Sequence, residues 1–430
     1  MTQDRYSRLA DIEWWDQDEV RGAHAVVAGA GALGNEVLKN LLLLGWGTIT
    51  VVDLDTVEVG NLSRSVLYRP SDVGAAKVDA VVRAAGELNP DCQVDVIADD
   101  LRTGLGAGLL HRADVVLGCL DNVAARVALG QLAGQAGVLL IDGGLTTWEG
   151  AVRLYLPPDG PCYVCGLTDE DLRDLALRHS CLAYRVRAET ARGVPTTPTV
   201  AATVGAAMAQ QAMRWLSRDR HDMTVPIGHE LRFDLAYDRF WQVGIPVNPD
   251  CLLHPTPAVP TGSPGSWATD RWVDILERWR TARADDEVVL RLPLTVLRGW
   301  SCLGCGRQDE VHRVHPGDRP VRCPTCAAEV ALDLVDQIDG TQPWHLLSPH
   351  ETGFPRWSWV EAHGSGGTVV FELAEPVGSD GGRGGAGGAP PRVPPDPPDG
   401  GPQDPAPRGP QDPAPRGPQA PAARTGRGRS

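Results

Sequence analysis

The sequence lacks the features of a membrane or secreted protein. No apolar run approaches the roughly 18 residues that span a bilayer, and the segment LLLLGW at 41–46 is far too short. The first residues carry acids and tryptophans instead of a signal-peptide pattern. We therefore expect a cytoplasmic protein with no membrane partner.

An excess of basic residues is also missing. Lys and Arg number 40 against 55 Asp and Glu, which gives a formal net charge of −15. General nucleic-acid-binding proteins usually carry a basic footprint, so nucleic acid is not an expected partner, although a local basic patch stays open. The 430 residues, 42% of them hydrophobic, suffice for two or three domains with a sizeable core.

Two stretches have few apolar side chains and divide the chain. Residues 255–266 are rich in Pro, Gly, Ser and Thr, which predicts a linker. In residues 376–430 Gly and Pro dominate, and GPQDPAPR at 401 and 409 is followed by GPQAPAAR at 417. Such a composition predicts a disordered tail. The remaining parts are a polar arm (1–20), a large domain (21–254) and a small domain (267–375).

The segment 21–142 alternates between strand-like and helix-like patterns. Strands are predicted at 25–28, 48–52, 94–98, 114–119 and 138–141, and helices at 35–44, 75–88 and 123–136. This alternation predicts an α/β fold with a doubly wound, mostly parallel, Rossmann-like sheet. Beyond it, GGLTTWEGAVRLYLP indicates an antiparallel extension, followed by a loop-rich crossover (178–198), a helix (199–216) and a strand or hairpin (231–243).

A glycine-rich loop follows the first predicted strand. In GAGALG, Gly29 permits a tight turn, Gly31 lets the backbone approach phosphate, and Gly34 lets the helix pack on the strand. Asp53, at the end of the second strand, is placed to bind ribose hydroxyls. The motif alone fits a dehydrogenase and an ATP enzyme equally, and a packing-only turn is the other alternative.

The residues after Asp53 separate these chemistries. Phosphoryl and nucleotidyl transfer need fixed cations near the phosphates, whereas hydride transfer does not. The candidates in this stretch are Asp55, Asn61, Arg64 and Lys77, and Asp121 with Asn122 follows the fourth strand. A carboxylate at Asp121 suits a Mg²⁺ ion bound by substrate phosphates. Taken singly, Arg64 and Lys77 fit surface charges, and Asp121 fits a helix N-cap.

Cysteine pairs indicate two metal sites. Six of the ten cysteines stand in three C-x-x-C pairs and a seventh begins a C-x-x-H, which in a cytosolic chain favours metal over disulfides. The first predicted zinc site combines Cys162, Cys165, Cys251 and His254, and the alternative is four unrelated side chains. The second has the spacing of a zinc ribbon, formed by Cys302, Cys305, Cys323 and Cys326.

The motifs GAGALG, DLDTVEVGNLSR, VGAAKVDA, CLDN and PCYVC occur together and in order over about residues 5–254. In this the chain resembles the ThiF/MoeB/HesA-type adenylyltransferases, a family that includes the ubiquitin-activating enzymes. The resemblance implies an enzyme that binds ATP and Mg²⁺ and adenylates the C-terminal glycine carboxylate of a ubiquitin-like or sulfur-carrier protein, releasing pyrophosphate. His254 departs from the family pattern, which has a second C-x-x-C there.

The resemblance also implies roles for particular residues. Asp53 would hold the ribose, Asn61, Arg64 and Lys77 would meet the phosphates, and Asp121 would position Mg²⁺. Arg8 matches an arginine that the family's N-terminal arm sends into the active site, commonly across a homodimer; a surface arginine is the alternative.

Cys181, in RHSCLAYR, is a further candidate. Some family members form a thioester or persulfide on a cysteine of the crossover loop, and nearby positive charge favours the thiolate that this requires. An incidental cysteine is the alternative. Other functions stay open at this point: a ThiF-like enzyme acting on a peptide or tRNA, an NAD-dependent oxidoreductase, or a non-catalytic scaffold.

Overall fold

Two β-sheets organise the chain, which a computed structural model describes over residues 5–168, 195–220, 223–262, 265–316 and 321–374. The larger sheet has eight strands in the order β3-β2-β1-β4-β5-β6-β7-β8. These are β1 (His24–Ala28), β2 (Thr48–Val52), β3 (Gln93–Ile97), β4 (Val115–Gly118), β5 (Leu140–Leu145), β6 (Glu149–Tyr155), β7 (His229–Asp234) and β8 (Arg239–Gly244).

Helices cover both faces of the larger sheet. They are α1 (Gln17–Gly22), α2 (Ala32–Leu44), α3 (Lys77–Leu88), α4 (Leu101–Gly104), α5 (Ala107–His111), α6 (Val123–Ala136) and α7 (Pro198–Leu216). Apolar residues of α2, α3 and α7 share one core cluster, and those of α4, α5 and α6 share another. Neighbouring strands among β1–β5 are parallel, and neighbouring strands among β5–β8 are antiparallel. The predicted doubly wound sheet with an antiparallel extension is therefore confirmed.

Some element bounds differ from those predicted. Helix α2 begins at Ala32, three residues early, because Gly34 can enter its first turn without a side chain. Strand β5 runs on to Leu145, where it pairs with Gly150 of β6. The short helices α4 and α5 were not predicted. None of the helices in the described ranges is long and apolar enough to cross a membrane.

The smaller sheet is built around one long strand. Its elements are α8 (Trp272–Arg283), β9 (Val289–Cys302), β10 (Gln308–Val314), β11 (Val330–Ile338), β12 (Trp359–Gly364) and β13 (Gly367–Glu372). Strand β9 pairs antiparallel with β10, β11 and β12, and β13 pairs with β12. Trp272, Trp344, Phe354 and Phe371 are almost fully buried in its core.

The two sheets touch through the region of α5. The Arg112 guanidinium donates to both carboxylate oxygens of Glu372, at 2.8 and 2.6 Å. Trp359 of β12 packs in the same cluster as residues of α5 and α6. In the predicted linker, Ala258 N donates to Gln135 O and Thr261 N donates to Val370 O. The division into domains at the predicted bounds stays a prediction, and the segment 255–262 contacts both regions.

The described part of the N-terminal arm folds back onto the large domain. Tyr6 is buried, and its hydroxyl accepts a hydrogen bond from Asn89 Nδ2 at 2.9 Å. Arg8 follows it on the surface, and its side chain makes no hydrogen bond or ion pair within the described ranges. The predicted tail, Cys181 and most of the predicted crossover lie outside the described residues.

Candidate functional site

The parallel strands end in one row at the carboxyl edge of the larger sheet. Ile97, Val52, Ala28, Gly118 and Asp142 are successive partners across β3, β2, β1, β4 and β5. The strand order reverses between β1 and β4, because β2 and β3 lie on one side of β1 and β4 and β5 lie on the other. Ligand crevices in open α/β sheets form at such a switch point, outside the carboxyl ends of the strands.

The glycine loop leaves the sheet at this switch point. Gly29 has φ +96°, and a Cβ there would lie 2.5 Å from the carbonyl oxygen of Cys119. A Cβ on Gly34 would overlap the carbonyl oxygen of Gly29. Gly31, by contrast, has no atom within 4 Å of such a Cβ, apart from its chain neighbours. The first and third glycines therefore satisfy packing, while the second faces open space at the start of α2, where helix N–H groups favour anions.

Two side chains that sequence reasoning missed hold this loop. The carbonyl oxygen of Ala30 accepts hydrogen bonds from Asn35 Nδ2 at 2.7 Å and from the Tyr68 hydroxyl at 2.5 Å. Asn35 Oδ1 in turn accepts from Leu67 N. Burial raises the pKa of Tyr68, so its hydroxyl remains a donor. The sequence did not single out Asn35, because α2 also contains Glu36, Lys39 and Asn40.

Asp53, Asp55 and Lys77 form a charge cluster beside the loop. Asp53 accepts from Ala30 N at 2.7 Å and from Asp55 N at 2.8 Å. The ammonium group of Lys77 lies 2.7 Å from Asp55 Oδ2 and 3.9 Å from Asp53 Oδ1. Burial raises the pKa of Asp53, and the charge of Lys77 partly opposes this rise. A largely buried cation is therefore held at the mouth of the glycine loop.

Asn61 and Arg64 lie on the segment that joins Asp55 to Lys77. Asn61 closes a short 3₁₀ turn, Val59–Asn61, and its Oδ1 accepts from Glu58 N at 2.9 Å. Arg64 Nη1 donates to Gly60 O at 3.0 Å. Both side chains are partly exposed and make local backbone contacts rather than contacts with the glycine loop.

Asp121 and Asn122 lie on the neighbouring loop. Asp121 is exposed, and its Oδ1 accepts from Asn122 Nδ2 at 3.2 Å. The N-cap of α6 is Asn122, whose Oδ1 accepts from Ala125 N at 2.8 Å, so the alternative interpretation of Asp121 as the cap is wrong. The Asp121 carboxylate is thus free of the helix terminus and faces solvent.

The first predicted metal set converges. Cys162 Sγ lies 3.7 Å from both Cys165 Sγ and Cys251 Sγ, and Cys165 Sγ lies 3.3 Å from His254 Nδ1. Zinc–sulfur bonds of about 2.3 Å in a tetrahedron separate two sulfurs by about 3.8 Å, which these distances match. His254 Nε2 lies 3.0 Å from Pro158 O, an outer contact that would fix the ring with Nδ1 facing the metal. The four residues could hold zinc.

The second set converges in the same way. Cys302 Sγ lies 3.4 Å from Cys326 Sγ, and Cys305 Sγ lies 3.6 Å from Cys323 Sγ. Gly306, with φ +74°, turns the chain directly after Cys305. The four thiols lie at one end of β9, β10 and β11 and could also hold zinc.

The fold and the switch-point cluster together define a Rossmann-like α/β protein with a candidate ligand crevice at the carboxyl edge of its sheet. A family model confirms and narrows this class: the chain belongs to the ThiF family, with residues 4–253 matched.

The matched relatives are adenylyltransferases and activating enzymes. The SAMP-activating enzyme E1 of Haloferax volcanii is 30% identical over 251 residues, which cover 58% of this chain and 87% of that enzyme. The sulfur carrier protein adenylyltransferase of Thermus thermophilus is 34% identical over 38% of this chain and 63% of its own. The molybdopterin-synthase adenylyltransferase of Escherichia coli is 32% identical over 37% and 66%. The matched segment spans slightly less than two thirds of these two bacterial enzymes.

These relatives confirm the predicted family and the predicted enzyme class, an ATP-dependent adenylyltransferase. Among solved structures, Escherichia coli MccB with MccA-N7isoASN matches with a TM-score of 0.48 and 22% identity, covering 59% of this chain and 75% of that one.

Proposed function

We propose that the protein uses ATP to activate the C-terminal glycine carboxylate of a ubiquitin-like or sulfur-carrier protein. A carboxylate oxygen attacks the α-phosphorus, the bond from that phosphorus to the bridging oxygen breaks, and pyrophosphate leaves with its electrons. The product is an acyl-adenylate. The observation that carries this proposal is the Lys77 ammonium group, held beside the glycine loop and the two carboxylates of Asp53 and Asp55.

The described residues suit positioning and charge stabilisation more than acid–base chemistry. Asp53 would accept the ribose hydroxyls, while Gly31 leaves the amides at the start of α2 open to phosphate. Lys77 would exchange its contact with Asp55 for a phosphate oxygen. Asn61 and Arg64 would join it, since both lie on the exposed segment between these acids and Lys77.

Two kinds of metal belong to the proposal. Asp121 offers an exposed carboxylate oxygen, the ligand that Mg²⁺ prefers, beside the loop that would cradle the phosphates. Bound Mg²⁺ would neutralise phosphate charge. The two cysteine-rich sets would each hold one structural zinc ion, because every position of a tetrahedron is filled by a protein ligand.

The remaining predictions on partners extend beyond the described residues. Arg8 would complete the active site of a partner subunit in a homodimer, which suits its exposure without a contact in the described ranges. Cys181 would accept the acyl group as a thioester, releasing AMP. The site of action would be the cytoplasm.

The test is ATP–pyrophosphate exchange with candidate carriers that end in Gly-Gly. We expect exchange with a carrier present, loss of exchange in Asp121→Ala, and full activity in Asp91→Ala, an exposed carboxylate at the opposite edge of the sheet. No exchange with any carrier contradicts the proposal. Exchange with a short peptide or a tRNA alone would redirect it to those substrates, and tighter binding of NAD than of ATP would point to hydride transfer.

For Cys181, we expect Cys181→Ser to retain exchange and to form no thiol-sensitive conjugate with the carrier. A conjugate that persists in this variant would remove Cys181 from the proposal.

A further inference from the structure

A row of alternating charges crosses the larger sheet beneath the Asp121 loop. Asp142 of β5, Arg153 of β6 and Glu230 of β7 are successive partners in the strand register. Arg153 Nη1 lies 3.5 Å from Asp142 Oδ2, and its Nε lies 3.0 Å from Glu230 Oε2. Asp142 is 1% exposed. A carboxylate buried this deeply requires paired charges and hydrogen bonds.

Arg126 provides the main partner of Asp142 and extends the row to the loop. From α6, its Nη1 reaches both oxygens of Asp142, at 2.6 and 2.5 Å, and its Nη2 donates to the carbonyl oxygen of Leu120. The space for this contact depends on Gly118, where a Cβ would lie 3.1 Å from Asp142 Oδ1. One guanidinium thus joins a buried carboxylate to the backbone directly before Asp121.

The loop is fixed on both sides of Asp121, whose own side chain is exposed. Cys119 N donates to Ala28 O at 2.8 Å, the Leu120 carbonyl is bound by Arg126, and Asn122 caps α6. The backbone is therefore held on both sides of Asp121, and the Asp121 Oδ1 accepts from Asn122 Nδ2. Removing the Arg126 contact would free the residue that immediately precedes it.

We propose that Arg126 and Asp142 are positioning residues that hold the Asp121 carboxylate in the orientation required for the metal of the nucleotide complex. The inference rests on the proposed function. Arginine suits this role because its planar guanidinium donates to the carboxylate and to the carbonyl at the same time. A lysine ammonium keeps the positive charge but lacks this planar set of donors. Outer contacts of metal ligands typically change metal affinity or activity by roughly 10–100-fold.

The test compares Arg126→Lys with Arg102→Lys. The control also alters an arginine paired with a buried aspartate, since Arg102 Nη2 lies 2.6 Å from Asp100 Oδ2, but Arg102 belongs to α4 and not to α6. The probes are Mn²⁺ binding in the presence of a non-hydrolysable ATP analogue, analogue binding without metal, and amide hydrogen exchange of residues 119–123.

For Arg126→Lys we expect Mn²⁺ affinity to fall roughly 10–100-fold, with analogue binding in the absence of metal unchanged and faster hydrogen exchange at Asp121 and Asn122. Arg102→Lys should change none of these. Unchanged Mn²⁺ affinity and exchange in Arg126→Lys would overturn the inference, as would an equal loss in both variants. If Arg126→Lys fails to fold, Asp142→Asn, which keeps the side-chain shape, takes its place with the same expectations.

Failure of the inference and failure of the proposed function are distinguishable. If the wild-type protein binds Mn²⁺ with the analogue but activates no carrier, the proposed function fails, and the comparison of Arg126→Lys with Arg102→Lys still decides whether Arg126 positions Asp121.

Discussion

Lys77 is one of two lysines in the whole chain, the other being Lys39. Lys77 is nearly buried between Asp53 and Asp55, whereas Lys39 pairs with Glu36 on α2. The surface of this protein therefore takes its positive charge from arginine, and a lysine is placed where a compact ammonium group meets two carboxylates. A point charge of this kind suits a phosphate oxygen.

We predict that Lys77→Met lowers ATP–pyrophosphate exchange by on the order of 10²–10³-fold, the usual cost of losing one preorganised charge-stabilising group. Lys39→Met is the matched control and should retain exchange. Thermal melting of both variants checks that the fold is intact. Equal activity of Lys77→Met and wild type would contradict the assignment of Lys77 to the phosphates.

The three glycines of the loop should respond differently to alanine. A Cβ on Gly34 would overlap the Gly29 carbonyl, so Gly34→Ala should lower the melting temperature by several degrees, in line with about 1–3 kcal/mol for overpacking. Gly31→Ala meets no protein atom and should leave the melting temperature unchanged while weakening ATP binding. Calorimetry of melting and of ATP binding separates the two effects. Unchanged ATP binding in Gly31→Ala would place the phosphates elsewhere.

At the scale of single elements, the two cysteine-rich sets differ in the size of the hydrophobic cluster that surrounds them. At the ribbon end, only Trp300, Cys302 and Cys323 form the fully buried part of the cluster among the described residues. Such a small core cannot hold three strand ends by apolar contact alone. Cys162, in contrast, joins the large cluster that packs α5 and α6 against the larger sheet.

We predict two zinc ions per chain, with one lost in Cys323→Ser and one lost in Cys251→Ser. Cys323→Ser should make the ends of β9 and β10 sensitive to protease and leave ATP binding unchanged, because its metal stabilises little beyond those turns. Zinc analysis, limited proteolysis and ATP titration measure these outcomes. A full zinc content in Cys323→Ser would show that the four thiols are not one site.

Elements with their own local signals could be predicted from the sequence. Helix α6 has the predicted bounds, 123–136, because Asn122 caps its start and Gly137, with φ +68°, ends it. Helices α4 and α5 have four and five residues, too few to form without tertiary contacts, and the sequence of each carries no periodic pattern. Both pack in one cluster with α6, and Gly108 of α5 also donates to Trp357 O.

The candidate site likewise contains residues that the sequence could identify and residues that it could not. The glycine loop, Asp53 and the cysteine pairs occur as motifs, so their residue types and spacing identified them. Tyr68 donates to the Ala30 carbonyl from 38 residues further along the chain, whereas Asn35 and Arg126 donate to carbonyls only five and six residues before them, those of Ala30 and Leu120. The Tyr68 contact leaves no spacing pattern because it depends on the folded path of the chain, and the Asn35 and Arg126 contacts depend on the shape of the loop that each residue follows.

At the scale of the whole molecule, the contact between the two sheets depends on residues without side chains. A Cβ on Gly106 would lie 2.5 Å from the carbonyl oxygen of Arg356, and one on Gly108 would overlap the Glu372 carboxylate. Gly108 N also donates to Trp357 O at 2.9 Å. The glycines therefore allow the smaller sheet to approach α5 closely enough for Arg112 to bind Glu372.

Because the two sheets approach each other so closely, we predict that they unfold cooperatively and that a substitution at Gly108 uncouples them. Gly108→Ala should displace Glu372 from Arg112 and split the calorimetric melting curve into two transitions, because each sheet retains its own core. Gly86→Ala in α3 is the control: nothing lies within 4 Å of its added Cβ, and alanine favours a helix by up to about 1 kcal/mol. It should keep one transition at an equal or higher temperature. A single unshifted transition in Gly108→Ala would show that the two sheets do not depend on this contact, and the smaller sheet would then be stabilised by its own core and metal alone.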